Sequence, residues 1–390
     1  MTCTPGNAGH NSPEEYPLIT ISEVTSRNDL HRFFSFPSVL YRKNPYYVPS
    51  LIYDEAWNFN PKKNPAYRHA ETACFLAWEH KRVVGRIAAL ILRREGDEKF
   101  SKTLRFNRFD MIDSLDVTRA LIDRAAEWGR QRGMEYMIGP IGFSDLDKQG
   151  LLVEGFDQPG MFITLYNHPY YAEHLEALGF VKEVDWVEYK IKVPDTADPR
   201  IARICELAQH RYKLKLLSFK NKRQALPYVR KAFAMYNRSY ANLYGFIPLT
   251  DDQVEMAIRQ FFYLVNLEYV SIVVTDDDDV VGLGIMVPSL SHAVRKSKGR
   301  LFPLGWLRIM RALKEHTLLD MYLIAVQPEY QGRGVNAIIL NDGITKAVAH
   351  GVIYAETGPE LEDNRNVQSQ WKGFEKVQHK RRRCYGRPIA

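Results

Sequence analysis

Apolar and polar positions alternate along the chain with two periods, and their succession predicts two α/β units in tandem. The first runs from about Leu18 to Val193. Residues 73–78 and 83–92 are apolar, β-branched runs around the polar reversal Glu79-His80-Lys81-Arg82, which predicts a hairpin. A strand follows at 106–112. Asp113-Ser114-Leu115-Asp116 then offers capping chemistry for a helix whose apolar side is Val117, Leu121, Ala125 and Trp128 and whose stop is Gly133. A strand at 134–138, a helix at 167–178 closed by Gly179, and a strand at 186–193 complete this unit.

The second unit, 214–390, repeats that order. A strand at 214–219 precedes amphipathic helices at 224–240 and 251–265, joined by a segment that includes Tyr244-Gly245-Phe246-Ile247-Pro248. Strands at 269–275 and 280–287 flank four aspartates, Asp276 to Asp279. That run lacks EF-hand spacing and reads as a hairpin turn. A helix near 304–313, a strand at 321–326, a glycine-rich turn, a helix at 334–350 stopped by Gly351, a strand at 352–355 and a last helix at 364–377 follow. Residues 194–213 read as a linker and a helix, and residues 1–17, without an apolar core, as a flexible tail. The fold class expected is α/β with a mixed sheet in two tandem domains.

Composition narrows the function classes. Hydrophobic residues are 45% and charged residues 25% of 390, which excludes wholesale disorder, collagen and coiled coil. No stretch approaches the roughly 18 uncharged apolar residues of a membrane span, so no membrane partner is expected. Cys3, Cys74, Cys205 and Cys384 lie far apart without a CxxC pair. They suggest neither a disulfide framework nor a zinc site, so no metal is expected and a cytoplasmic setting is. The net charge is +7, and Lys376, Lys380, Arg381, Arg382, Arg383 and Arg387 carry six positive charges in the last fifteen residues. The plain reading of His379-Lys380-Arg381-Arg382-Arg383 is a solvated edge strand blunted by charge. Contact with a coenzyme phosphate comes next, and nucleic acid is not an expected partner.

Chemistry concentrates in Val326-Gln327-Pro328-Glu329-Tyr330-Gln331-Gly332-Arg333-Gly334-Val335-Asn336, between an apolar strand and an apolar-periodic helix. The two glycines permit unusual dihedrals and close approach of a ligand. Consecutive amides at a helix N-terminus bind phosphate. GxxxxGK[ST] is absent, and a dinucleotide fingerprint would need a glycine where Ala337 stands.

This segment resembles the acyl-CoA-binding signature of the GNAT acyltransferase superfamily, Q/R-x-x-G-x-G/A preceded by V-x-P. Val326 and Pro328 match the leading pair; Gln331, Gly334 and the residues between match the loop; Asn336 replaces a small residue. The resemblance implies acetyl-CoA, or another acyl-CoA, as co-substrate. It would be held by Val326, Gln331, Gly332, Arg333, Gly334, Val335, Asn336 and Asn364, with Ile324 and Ala325 supplying backbone donors for the oxyanion. It also implies that the flanking strands splay to admit the pantetheine arm. Asn364 fits the family's later helix start, while Trp371 stands where a Tyr is usual. Tyr166-Asn167-His168-Pro169-Tyr170-Tyr171 and Leu178-Gly179-Phe180 give the first unit a degenerate likeness to the same family. Its pyrophosphate turn carries Asp113 and Asp116, which would repel phosphate.

The activity implied is N-acyl transfer, acetyl first of all, to a primary amine of a small molecule or peptide, by direct attack on the thioester. The amine must lose a proton to a base. Glu356, at the end of a strand, is the first candidate, with Asp320 and Tyr322 behind it. The loops at 147–156 and 244–248 are candidate acceptor walls. Two other readings stand beside this one: a Fem-like aminoacyl transferase drawing on charged tRNA, and a non-catalytic acyl-CoA sensor. Acceptor and oligomeric state stay open.

Overall fold

The computed structural model describes residues 19–93, 100–262 and 265–389; the tail expected at 1–17 lies outside them. The first half contains β1 (Ile19–Glu23), α1 (Arg27–Leu40), α2 (Ile52–Asn58), β2 (Ala70–Glu79), β3 (Arg82–Leu92), β4 (Thr103–Met111), α3 (Leu115–Arg130), β5 (Tyr136–Gly139), β6 (Leu151–Glu154), α4 (Tyr170–Ala177) and β7 (Val181–Lys192). Helix α5 (Pro199–Tyr212) leads into the second half: β8 (Lys215–Leu217), α6 (Lys222–Ser239), α7 (Asp251–Phe261), β9 (Val270–Val274), β10 (Val280–Pro288), α8 (Ser291–Lys296), α9 (Gly305–Ala312), β11 (Leu318–Val326), α10 (Val335–Ala349), β12 (Tyr354–Thr357), β13 (Glu360–Leu361), α11 (Arg365–Ser369) and β14 (Lys376–Pro388).

Local chemistry sets most of these elements. Ser114 accepts from the Val117 amide to start α3, and the buried side of that helix holds Val117, Leu121, Ala125 and Trp128. Thr250 and Gln253 form a reciprocal capping box on α7. Helix α10 lies close on the sheet because Gly282 and Gly284 of β10 carry no side chain. A Cβ there would sit 2.5 Å from Val335 Cγ1 and 2.4 Å from Ile339 Cγ2 respectively.

The strands form one sheet in the order β1-β2-β3-β4-β5-β14-β7-β12-β11-β10-β9-β8. Its centre is an exchange between the halves. Strand β14, from the end of the chain, lies antiparallel between β5 and β7, while β7 pairs with β12 of the second half. The boundaries 18–193 and 214–390 are therefore crossed by backbone pairing, and the halves share one continuous sheet.

Two expectations are corrected here. The helix at 364–377 shrinks to α11, and the basic segment is not a solvated edge but a central strand. Lys380 and Arg382 are buried. Arg381 reaches Glu154, Asp185 and Glu362, Arg383 takes Asp185, and Arg387 approaches Asp123. Those carboxylates already occupy the cations that an external anion would need. The loop at 147–156 also contains a strand, β6, which pairs with β14.

Candidate active site

Strands β11 and β12 run parallel and pair only from Leu318↔Tyr354 to Met321↔Thr357. A last bond, from the Gly358 amide to the Met321 carbonyl at 2.8 Å, closes the paired stretch. Beyond it β11 continues to Val326 paired with β10 alone, so the sheet opens. The register of β10 against β11 slips at Ile285/Met286, leaving Tyr322 as an extra residue. This bulge sends Tyr322 and Leu323 to one face, while Met321 and Ile324 pack with the α10 side. The Ile324 carbonyl, freed by the opening, accepts from Tyr240 Oη at 2.8 Å.

The turn after β11 keeps its amides free. Gly332 and Gly334 have φ of 74° and 83°, the left-handed region that favours glycine, and Gly334 is the cap of α10. Among the described residues, the amides of Gly332, Gly334, Val335 and Asn336 have no backbone acceptor. Gln331 braces the turn, donating from Nε2 to the Val326 carbonyl at 3.3 Å. Arg333 is exposed and stacks over Tyr212 and Tyr330. Four free donors at the N-terminus of a fifteen-residue helix, beside a cation that among the described residues has no carboxylate partner, are a fit for a diphosphate.

A cavity of about 900 Å³ joins this turn to the other side of the sheet through the opening. On the α10 side Gln331, Gly332, Asn336, Ile339, Gly343 and Asn364 border it. Past the opening it widens into an apolar arm under Phe162, Ile163, Phe233, Ile285, Val287 and Leu290. Both candidate walls contribute: Asp147 and Gln149 from the first half, Tyr244 and Phe246 from the α6–α7 connection.

Two carboxylates border the cavity that the sequence did not single out. Glu360 Oε1 accepts from Trp371 Nε1 at 2.9 Å, and its Oε2 is buried without a partner. Burial raises this carboxyl to about 7, against the indole donor and Lys376, which favour the charged form. Asp145 accepts from Tyr236 Oη, has its Oδ1 buried and unpartnered, and is raised by burial to about 6. Tyr240 lies near both; burial first, then the charges of Asp145 and Glu360, push its hydroxyl up. The helical spacing of Tyr236, Tyr240 and Tyr244 was a visible signal. Glu360, just past a strand in Gly358-Pro359-Glu360, carried none.

The sequence candidates fall differently. Tyr322 borders the cavity, with its hydroxyl buried and unpartnered; Asp320 and Glu356 do not border it. They are register partners on β11 and β12 and join a buried ionic cluster. Lys380 Nζ sits 3.4 Å from Glu356 Oε2 and 3.5 Å from Glu188 Oε2, and Arg382 pairs with Glu188. Two cations balance two carboxylates there, and Asp320 would be a third. Burial, then the Glu356 charge, raises Asp320 to about 8, which holds it protonated at neutral pH and leaves the cluster neutral.

No protein-family model matches the sequence. Two curated proteins are similar to it: protein YghO of Escherichia coli (strain K12), 27% identical over 93% of this chain and 94% of that one, and the bacterial ceramide synthase of Caulobacter vibrioides (strain NA1000 / CB15N), 29% identical over 76% and 77%. Among solved structures, a tandem GNAT protein from the clavulanic acid biosynthesis pathway aligns with a TM-score of 0.54 at 13% identity, over 96% of this chain and 99% of that one. The chain has a tandem GNAT-type fold.

The two GNAT-like units differ at the position that matters. In the first, the register of β3 against β4 slips near Arg108, as that of β10 against β11 slips at Tyr322. The Arg108 side chain is buried there, paired with Glu55 at 2.8 Å, with Asp147 at 3.9 Å. Ser114 caps α3, and Asp113 and Asp116 flank it, where α10 leaves its amides free. Among the described residues no group of side chains could hold a metal ion, and no helix is long and apolar enough to cross a membrane.

Proposed function

We propose that the second GNAT unit transfers an acyl group from acyl-CoA to the amine of an acceptor with an apolar body, and that the first unit helps wall the acceptor chamber. The observation that carries this reading is the continuous cavity, which begins beside the turn of free amides, where Gly332 and Asn336 border it, crosses the opened sheet and ends in an apolar arm. The amides of Gly332 to Asn336 and the Arg333 guanidinium would hold the diphosphate, and β11 from Tyr322 to Val326 would flank the pantetheine arm. Glu360 is the proposed base: it borders the cavity, one oxygen is free, and its pKa is near neutrality. It takes the amine proton as the nitrogen attacks the thioester carbonyl. Backbone donors near Ile324 and Ala325 stabilise the oxyanion. The C–S bond then breaks, and CoA leaves as a thiolate, since a thiol of pKa about 8.5 is a tolerable anion near neutral pH.

Acetyl is the smallest donor the site would take. The apolar arm suits longer acyl chains and lipid-like amines, and a relative named bacterial ceramide synthase supports that direction. The test is release of free CoA from acetyl-CoA and palmitoyl-CoA with a long-chain amine and with a small polar amine. Release with the long-chain amine is expected. Release with the polar amine alone would overturn the acceptor assignment. No release with any pair, together with no CoA binding by calorimetry, would overturn the activity.

A further inference from the structure

The segment from α8 to the end of α9 carries an exposed surface that the acyl-transfer reading does not use. Phe302, Leu304, Trp306 and Met310 are 78%, 53%, 46% and 45% exposed. Trp306 and Met310 are one turn apart on α9, whose opposite side buries Ile309 and Ala312. A single exposed leucine needs no explanation, but four large apolar side chains within nine residues do.

Charge says what covers them. Residues 291–315 hold seven cations and one carboxylate, Glu315. Arg295, Lys296, Lys298, Arg300, Arg311 and Lys314 are exposed, and among the described residues none of them has a carboxylate partner. The other basic concentration, on β14, is consumed by internal ion pairs. This one is not. Aliphatic and aromatic side chains set among unpaired lysines and arginines match the interfacial zone of an anionic bilayer, where the apolar groups enter the acyl boundary and the cations meet the headgroups. Nucleic acid would use the cations and the rings, but it offers nothing to Leu304 and Met310.

The surface also sits over the site. The inner side of α8 and α9 packs Ala293, Val294, Ile309 and Leu313 against Val287, Leu290 and Phe162, which line the apolar arm of the cavity. We propose that the α8–α9 surface docks the protein peripherally on an anionic membrane, with the acceptor chamber on the bilayer side. Contact of this kind needs no spanning helix. The docking stands without the acyl-transfer reading; only the delivery of a lipid amine rests on it.

Flotation of the full chain with vesicles of phosphatidylcholine alone and of phosphatidylcholine with phosphatidylglycerol tests this, beside Phe302→Ser/Trp306→Ser/Met310→Ser and Lys296→Glu/Lys298→Glu/Arg311→Glu/Lys314→Glu variants. Binding to the anionic vesicles is expected, falling by more than about tenfold in each variant, while CoA affinity by calorimetry and the thermal midpoint stay as in the parent. Equal binding to both vesicles, or to neither, overturns the proposal. So does loss only in the charge variant with comparable binding to an RNA oligonucleotide at the same salt, which would mark a general polyanion surface. A concentration-dependent dimer that the apolar variant abolishes, without vesicle binding, would assign the surface to a second copy instead. No CoA release with any amine, together with no CoA binding by calorimetry, would refute the acyl-transfer reading and leave vesicle binding untouched.

Discussion

Replacing Glu360 by Gln removes a carboxylate that burial has raised to about 7 and whose second oxygen has no partner. A base of that pKa is about one tenth ionised at pH 6 and about nine tenths at pH 8. The wild-type kcat, read at saturating acyl-CoA and amine so that the bound complex is reported, should therefore rise roughly tenfold between those values with a midpoint near 7. General-base catalysis contributes on the order of 10²–10⁴, so Glu360→Gln should lower kcat by at least about 10² and flatten the profile. Trp371→Phe gives an independent arm. The indole donates to Glu360 Oε1 at 2.9 Å and lowers its pKa, so its loss should move the midpoint upward while the plateau at high pH stays close to the parent's. A Glu360→Gln enzyme that kept the midpoint near 7, or lost less than about threefold, would refute the assignment and return attention to Asp145 and Tyr322.

Asp320→Asn should stabilise the protein at alkaline pH. The native carboxyl, raised from 3.8 to about 8, binds a proton that the unfolded chain has released, so wild-type stability falls as pH rises through that window. At ~1.4 kcal/mol per unit, the advantage of Asn over Asp should grow by on the order of 4 kcal/mol between pH 5 and 8, read by urea denaturation; a pH-independent difference would refute the buried-charge balance. Arg382→Met leaves buried Glu188 and Glu356 sharing Lys380 alone and should cost about 3–5 kcal/mol in the same assay, without any salt-dependent RNA affinity to lose. Gly334→Trp should abolish CoA binding by calorimetry with the fold retained by circular dichroism, because a Cβ there would already lie 2.6 Å from Ala208 Cβ and φ is 83°. Tyr240→Phe frees the Ile324 carbonyl and should lower kcat/KM by about tenfold, roughly the worth of one hydrogen bond near the reacting atoms.

Periodicity and turn chemistry are local, and what they control was legible. The hairpin of β2 and β3, the capped helix α3, the helices α6 and α7, and the strand, glycine turn and helix of β11 and α10 all lie close to where the pattern puts them. The glycine turn with its free amides was readable for the same reason: two glycines and a helix start lie close together in the chain. The sheet's order was not. Nothing within 376–388 says that it will pair with residues 136–139 and 181–191, so a run of cations reads as a solvated edge when it is a central strand neutralised by distant carboxylates.

The same limit governs the site. Glu356 and Asp320 sit at the right place along their strands, yet the pairing that brings Lys380 beside them turns them into a charge-balanced core. Glu360, Asp145 and Tyr240 lie far apart in sequence, and only the packing of α6, the first-half loop and the segment after β12 brings them around one cavity. Sequence alone determined which backbone would offer free amides, because that depends on a few adjacent dihedrals. Tertiary structure decided which carboxylates keep an open oxygen, because a group's protonation and freedom depend on every charge and surface folded against it.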